Sequence, residues 1–187
     1  MKNNYKVAIV GASGLVGRTA LKVLEEKNFS NIEYTLFSSK KSAGKKIEFF
    51  GITYIIQELK ETSFNKHFDY AIFCAGGDIS KKYIPIAVEH NCICIDNSSI
   101  YRMDESVPLV VPEVNMSDAF NNNGIIANPN CSTIQAVVPL KPLDDKYHIK
   151  RIVYSTYQAV SGAGRDGIDD LKNGENGFEP QTFPYPI

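Results

Sequence analysis

The sequence predicts an α/β fold in which a mostly parallel sheet is covered on both faces and a second unit follows. Two observations carry this. Short apolar runs rich in Val, Ile and Phe alternate with longer amphipathic segments, the pattern of strands joined by crossover helices. Glycine-rich or polar loops follow several of those runs, where a parallel sheet gathers its ligand-binding loops at the carboxyl ends of the strands.

Taken in order, Tyr5 to Val10 predicts a first strand, Gly11 to Gly14 a turn and Leu15 to Lys27 a helix. Glu33 to Ser38 is a second strand, and Ile47 to Ile56 one or two short extra strands after the polar loop SKKSAGKK. Tyr70 to Cys74 and Cys92 to Asp96 are further strands flanking a helix over Ile79 to His90. Ile125 to Ala127 is a short strand leading into NPNCST, a helix starts near Cys131, and Arg151 to Val160 predicts a long strand from its β-branched and aromatic residues. Arg165 to Leu171 is a last helix. Residues 1–130 are expected to form one domain and 131–187 the start of a second. The tail NGENGFEPQTFPYPI stops on an apolar residue, so that second domain is expected to be cut short.

Composition narrows the function. Twenty Lys and Arg against 21 Asp and Glu, with no long basic block, argue against nucleic acid as a partner. The run Val7 to Val10 is too short for a signal sequence or a membrane span. The four cysteines suit reduced thiols in a cytoplasmic protein better than a disulfide scaffold, and Cys92 with Cys94 suit packing on one strand face. No metal-ligand spacing stands out.

Gly11-Ala12-Ser13-Gly14-Leu15-Val16-Gly17 lies between the first strand and the first helix. Glycines permit a tight turn and close backbone approach, and the uncapped amides of a helix start can hold a phosphate. This is the setting of a Rossmann-like dinucleotide site, here with GxxGxxG spacing. After the second strand, where an acidic residue would bond the free ribose of NAD, stand Ser38, Lys41 and Ser42 without a carboxylate. The loop therefore favours the 2′-phosphate of NADP, against the bland alternative of a solvated lysine loop. Gly76, in the small-residue run Cys74 to Gly77, leaves room for pyrophosphate or ribose.

Cys131 at a helix start meets unpaired amides and the positive end of the dipole, which favour thiolate, although a buried packing cysteine is an equal alternative from local physics alone. A nicotinamide cofactor beside a nucleophilic thiol suggests thiohemiacetal and thioester chemistry on an aldehyde. Arg102, on the same edge, suits an oxyanion, and Gln158 with Ser161 and Gly162 could orient a carbonyl or admit the nicotinamide. His67, His90 and His148 make poor candidates for a catalytic base.

The ordered series GASGLVG, SSKKSAGK, FCAGG, DNSSIYRM, VPEVN, NPNCSTIQ and YQAVSGAG resembles the aspartate-semialdehyde dehydrogenase family over nearly the whole chain. The resemblance implies NADP-dependent reduction of L-4-aspartyl phosphate to L-aspartate 4-semialdehyde and phosphate. That step feeds lysine, threonine, methionine and diaminopimelate synthesis. It implies Cys131 as the acyl-carrying nucleophile, Gln158 as a substrate-orienting residue and Arg102 with Asn130 as phosphate contacts. Gly11, Ser13, Gly14, Leu15, Val16, Gly17, Ser38, Lys41, Ser42, Gly76, Ser161 and Gly162 stand at or near cofactor positions. The family usually has arginine where Lys41 stands, so charge is kept and the planar fork lost. The resemblance also implies a homodimer or homotetramer, and a substrate-binding glutamate, a carboxylate-binding arginine and a histidine acid/base beyond Ile187, so the chain by itself is expected to turn over little. N-acetyl-gamma-glutamyl-phosphate reductase, similar in fold and thioester chemistry, and a non-catalytic NADP-binding module are the alternatives.

Overall fold

In a computed structural model, residues 4–179, 181 and 183 are described. The chain forms two compact units, one running to Asp145 and one from Lys146.

The first unit is built on a six-stranded parallel sheet. Its strands are β1 (Tyr5–Val10), β2 (Ile32–Ser38), β5 (Gln57–Glu58), β6 (Tyr70–Phe73), β7 (Ile93–Asp96) and β8 (Ile125–Ala127). They lie side by side in the order β5-β2-β1-β6-β7-β8. Numbered by their own succession in the sheet this is 3-2-1-4-5-6, the doubly wound order whose reversal between the first and fourth strands opens a ligand crevice. That reversal falls between β1 and β6, which pair in parallel from Val7 with Tyr70 to Val10 with Phe73.

Alternation along β1 explains why both faces are covered. Ala8 and Val10 join Phe37, Phe64, Phe73, Ile84 and Cys94 in one buried cluster, packed with α2 (Gly77–Glu89). Val7 and Ile9 join Leu21, Tyr34, Leu36 and Phe49 in the other, under α1 (Leu15–Glu26). A strand buried on both sides has no polar face to alternate, hence its continuous apolar run. The expected extra strands form a separate antiparallel hairpin, β3 (Lys46–Phe49) and β4 (Ile52–Ile55), whose Phe49 meets Tyr34 edge-on at 4.8 Å.

Beyond β7 the chain makes a short helix, α3 (Pro112–Asn115), before β8, and then α4 (Cys131–Tyr147). No helix among the described residues is long and apolar enough to cross a membrane.

The second unit corrects one expectation. Residues 151–159 form no strand; they are exposed, with Val153 at 72% and Tyr157 fully accessible. Their β-branched and aromatic composition favours a pleated, half-buried surface, but among the described residues no neighbouring strand supplies the backbone partners that such a surface needs. The following 3₁₀ turn Val160–Ala163 and α5 (Gly164–Glu175) form as expected of the glycine-rich run.

Steric room around the glycines yields a test of the fold. A Cβ on Gly17 would sit 2.2 Å from the Gly11 carbonyl oxygen, whereas one on Gly76 would meet nothing within 4 Å. Gly17→Ala is therefore expected to cost about 1–3 kcal/mol in urea unfolding, and Gly76→Ala to stay within about 0.5 kcal/mol of the parent.

Candidate active site

The carboxyl ends of β1, β2 and β6 converge at the sheet's reversal point. Gly11 turns the chain there with φ +86°, a left-handed conformation that glycine alone adopts freely. The Gly11 and Ala12 amides both donate to the Phe37 carbonyl, at 2.9 and 3.0 Å, fastening the turn to β2. The turn also lies so close to β6 that a Cβ on Gly11 would stand 2.8 Å from the Cys74 carbonyl oxygen. Gly14 at the start of α1 and Gly76 at the start of α2 both lack a side-chain cap. The first amides of two helices are thus left for an anionic ligand at one sheet edge.

Beside this edge is a cavity of about 340 Å³, walled by Leu59, Ile79 and Tyr83 with Gly11, Ser38 and Lys40 at its polar side. Ser13 donates to the Ser42 hydroxyl at 3.1 Å and lies 2.6 Å from that of Ser38. Three hydroxyls from three segments therefore meet in the first unit, next in sequence to the exposed Lys41. The apolar wall was missed from sequence. Ile79 and Tyr83, four residues apart on α2, share a helix face, which is the signal that could have found it.

A second cluster forms at the ends of β7 and β8. Arg102, half-buried, donates from Nε to the Asn128 carbonyl at 2.8 Å and from Nη2 to the Asn97 carbonyl at 3.2 Å. Two of the five guanidinium N–H groups are thereby used to staple the strand ends, and three are left to meet an anion. Asn128 also donates its side-chain amide to Asn97 Oδ1 at 3.0 Å. Two residues on, the Asn130 carbonyl accepts the first helical bond of α4 from Ile134, and Asn130 Oδ1 accepts from the Ser132 amide at 2.9 Å. Asn130 is thus the N-cap and Cys131 the first helical residue, exposed to solvent. Capping uses the oxygen of the Asn130 side chain, so its NH₂ remains the end able to face an anion.

Gln158, Ser161 and Gly162 belong to the second unit. There the Gln158 side chain lies over Gly162 so closely that a Cβ would fall 2.1 Å from Nε2. His67, 3.6 Å from Asp69, and His90 precede β6 and β7 and so lie at the opposite end of the sheet from these clusters.

Residues 6–122 match the family model for the semialdehyde dehydrogenase NAD binding domain, and residues 140–187 the model for the semialdehyde dehydrogenase dimerisation domain. The chain belongs to the semialdehyde dehydrogenase family. Among relatives, the aspartate-semialdehyde dehydrogenase of Aquifex aeolicus is 55% identical, over 98% of this chain and 56% of its own length. The crystal structure of Vibrio cholerae aspartate semialdehyde dehydrogenase II complexed with ASA superposes with a TM-score of 0.89 at 45% identity, covering 98% of this chain and 57% of that one. The Candida albicans aspartate semialdehyde dehydrogenase with NADP gives a TM-score of 0.63 at 26% identity, over 78% and 48%. The chain spans little more than half the length of the curated relatives it matches.

In this semialdehyde dehydrogenase chain the four thiols differ sharply in setting. Cys92 and Cys94 are buried and Cys74 is half-buried. Burial first, and then the Asp96 charge, push the Cys74 thiol up to about 11. Cys94 is raised too, first by its hydrogen bond with Cys92 and then by burial. Maleimide at pH 8 is expected to modify Cys131 at least an order of magnitude faster than the other three, with the fast phase absent in Cys131→Ser; a fast phase that persists contradicts this placement. The raised thiols also set a sign for alkaline stability. Above the unfolded thiol value near 9 the unfolded chain releases protons that the fold retains, so stability present below pH 9 is lost as pH rises toward about 11. Urea midpoints at pH 8 and pH 10.5 check this, and Cys74→Ala should flatten the decline.

Proposed function

We propose that this chain is the cofactor-binding and thiol-bearing portion of a cytoplasmic, NADP-dependent aspartate-semialdehyde dehydrogenase, reducing L-4-aspartyl phosphate to L-aspartate 4-semialdehyde and phosphate. The observation that carries this reading is the placement of Cys131 on the first residue of α4, three residues after Asn128, whose carbonyl anchors Arg102. A nucleophile and a cation suited to the phosphate that it displaces are thereby held on one short stretch of backbone.

On this reading the adenine lies against Leu59, Ile79 and Tyr83, and the 2′-phosphate meets the Ser13, Ser38 and Ser42 hydroxyls with Lys41. Gly11 to Gly17 and Gly76 leave the helix amides to the pyrophosphate. Ser161 and Gly162 border the nicotinamide, where bound NADPH supplies the hydride. Arg102 and Asn130 hold the phosphate group of the substrate and draw charge toward it as it leaves. The Cys131 thiolate attacks the acyl carbon, the carbon–oxygen bond to phosphate breaks, and the acyl group stays on sulfur as a thioester. Gln158 orients the carbonyl during reduction, after which the carbon–sulfur bond breaks to release the aldehyde and restore the thiolate. The division into a cofactor domain over 1–130 and a catalytic and dimerisation domain from 131 belongs to this reading, as does assembly into a homodimer or homotetramer.

The test joins residues 1–187 to the remaining portion of the Aquifex aeolicus relative. Aspartate semialdehyde, inorganic phosphate and NADP are expected to yield NADPH in that chimera. Cys131→Ser should lower the rate by at least about 10³-fold, the scale on which loss of a covalent nucleophile acts. NADPH formation that needs neither phosphate nor Cys131 contradicts the proposal.

A further inference from the structure

Asp96, the last residue of β7, is fully buried at 0% exposure, a setting in which a carboxylate persists only if its lone pairs are met. Three hydrogen bonds meet them. The Ser80 hydroxyl donates to Oδ1 at 2.6 Å, the Ser98 amide to Oδ1 at 3.1 Å, and the Ser98 hydroxyl to Oδ2 at 2.7 Å. Among the described residues no cation pairs with it, so it is held by neutral donors alone.

The two serines belong to different parts of the edge. Ser80 lies in α2, whose start at Gly76 faces the cofactor crevice. Ser98 starts the loop that ends in Arg102, and its hydroxyl also accepts the Ile100 amide at 3.3 Å. The Asp96 main-chain carbonyl accepts the Asn128 amide at 3.2 Å, and the Arg102 guanidinium returns to Asn97 and Asn128. The loop is thus closed at both ends, by Asp96 where it leaves β7 and by Arg102 where it comes back.

We propose that Asp96 is the positioning residue of the anion site: its buried carboxylate fixes the Asn97-to-Arg102 loop so that the three unused guanidinium donors face the phosphate, and through Ser80 locks α2 to the same frame. The inference rests on the reading of Arg102 as a phosphate contact. The chemistry calls for a carboxylate because all three partners are donors. An amide at this position would turn NH₂ toward a serine hydroxyl that must then reverse, leaving its own proton without an acceptor in a buried site.

The experiment follows the Nε–H resonance of Arg102 in the 187-residue chain, assigned with Arg102→Lys, first without ligand and then during titration with inorganic phosphate. In the parent, Nε–H should exchange slowly because it is bonded to the Asn128 carbonyl. Asp96→Asn should speed that exchange and weaken phosphate binding, each by about tenfold, the equivalent of one charge-assisted hydrogen bond. Ser98→Ala keeps the carboxylate, removes the hydroxyl's bond to it together with the weaker one accepted from the Ile100 amide, and should lose about threefold in each if Asp96→Asn does not fold. Variants that lower the melting temperature while Arg102 Nε–H stays protected and phosphate affinity is unchanged would show that the network is only structural and overturn the proposal. If phosphate leaves the parent's Arg102 resonance unmoved, the anion reading fails; the ligand-free exchange rates still decide separately whether Asp96 places the guanidinium.

Discussion

The approach of the Gly11 turn to the Cys74 carbonyl is the constraint on which the rest of the edge depends. β1 is paired on both sides, to β2 and β6, so its exit has nowhere to go except over the carboxyl end of one neighbour. A side chain at Gly11 would push the turn off β6, and one at Gly17 would push α1 off the turn. With both absent, α1 starts close to the sheet, Ser13 reaches Ser38 and Ser42, and the cavity between β2 and α2 stays open. The glycines thus act less as flexible joints than as clearances that set where polar groups can meet.

The same parallel register aligns the ends of β7 and β8. Because Asp96 pairs with Ala127, the residues after them, Asn97 and Asn128, emerge side by side and can share Arg102. From there the chain needs only Pro129 and the Asn130 cap to start α4 at Cys131. Both the cofactor side and the thiol side of the edge are therefore consequences of one sheet.

Strands carrying uninterrupted apolar residues were legible in the sequence because burial on both faces leaves no alternative pattern, and β8 appears at the expected residues. The two-residue strand β5 carries no such pattern; its pairing with Phe37 and Ser38 exists only because the sheet offers an open edge. Residues 151–159 show the converse, a strand-like composition that stays irregular where no neighbouring strand lies beside it among the described residues. In the site, the glycine turn and the capped cysteine were legible because their physics is local. The Asp96 and Ser80 pair, 16 residues apart, and the Asn97 and Asn128 pair, 31 apart, were not, since the sheet alone brings them together. Gln158 was expected where a long strand ends, but that strand is absent and the residue lies in irregular chain before the 3₁₀ turn.

The hydroxyls and the lysine at this edge suit a dinucleotide bearing a 2′-phosphate. Equilibrium titration of the 187-residue chain with NADPH and NADH, followed by nicotinamide fluorescence, tests it most directly. NADPH is expected to bind at least about tenfold more tightly than NADH, the worth of one charge-assisted contact to the extra phosphate, and Lys41→Ala to narrow the gap. Equal affinities for the two cofactors would contradict it.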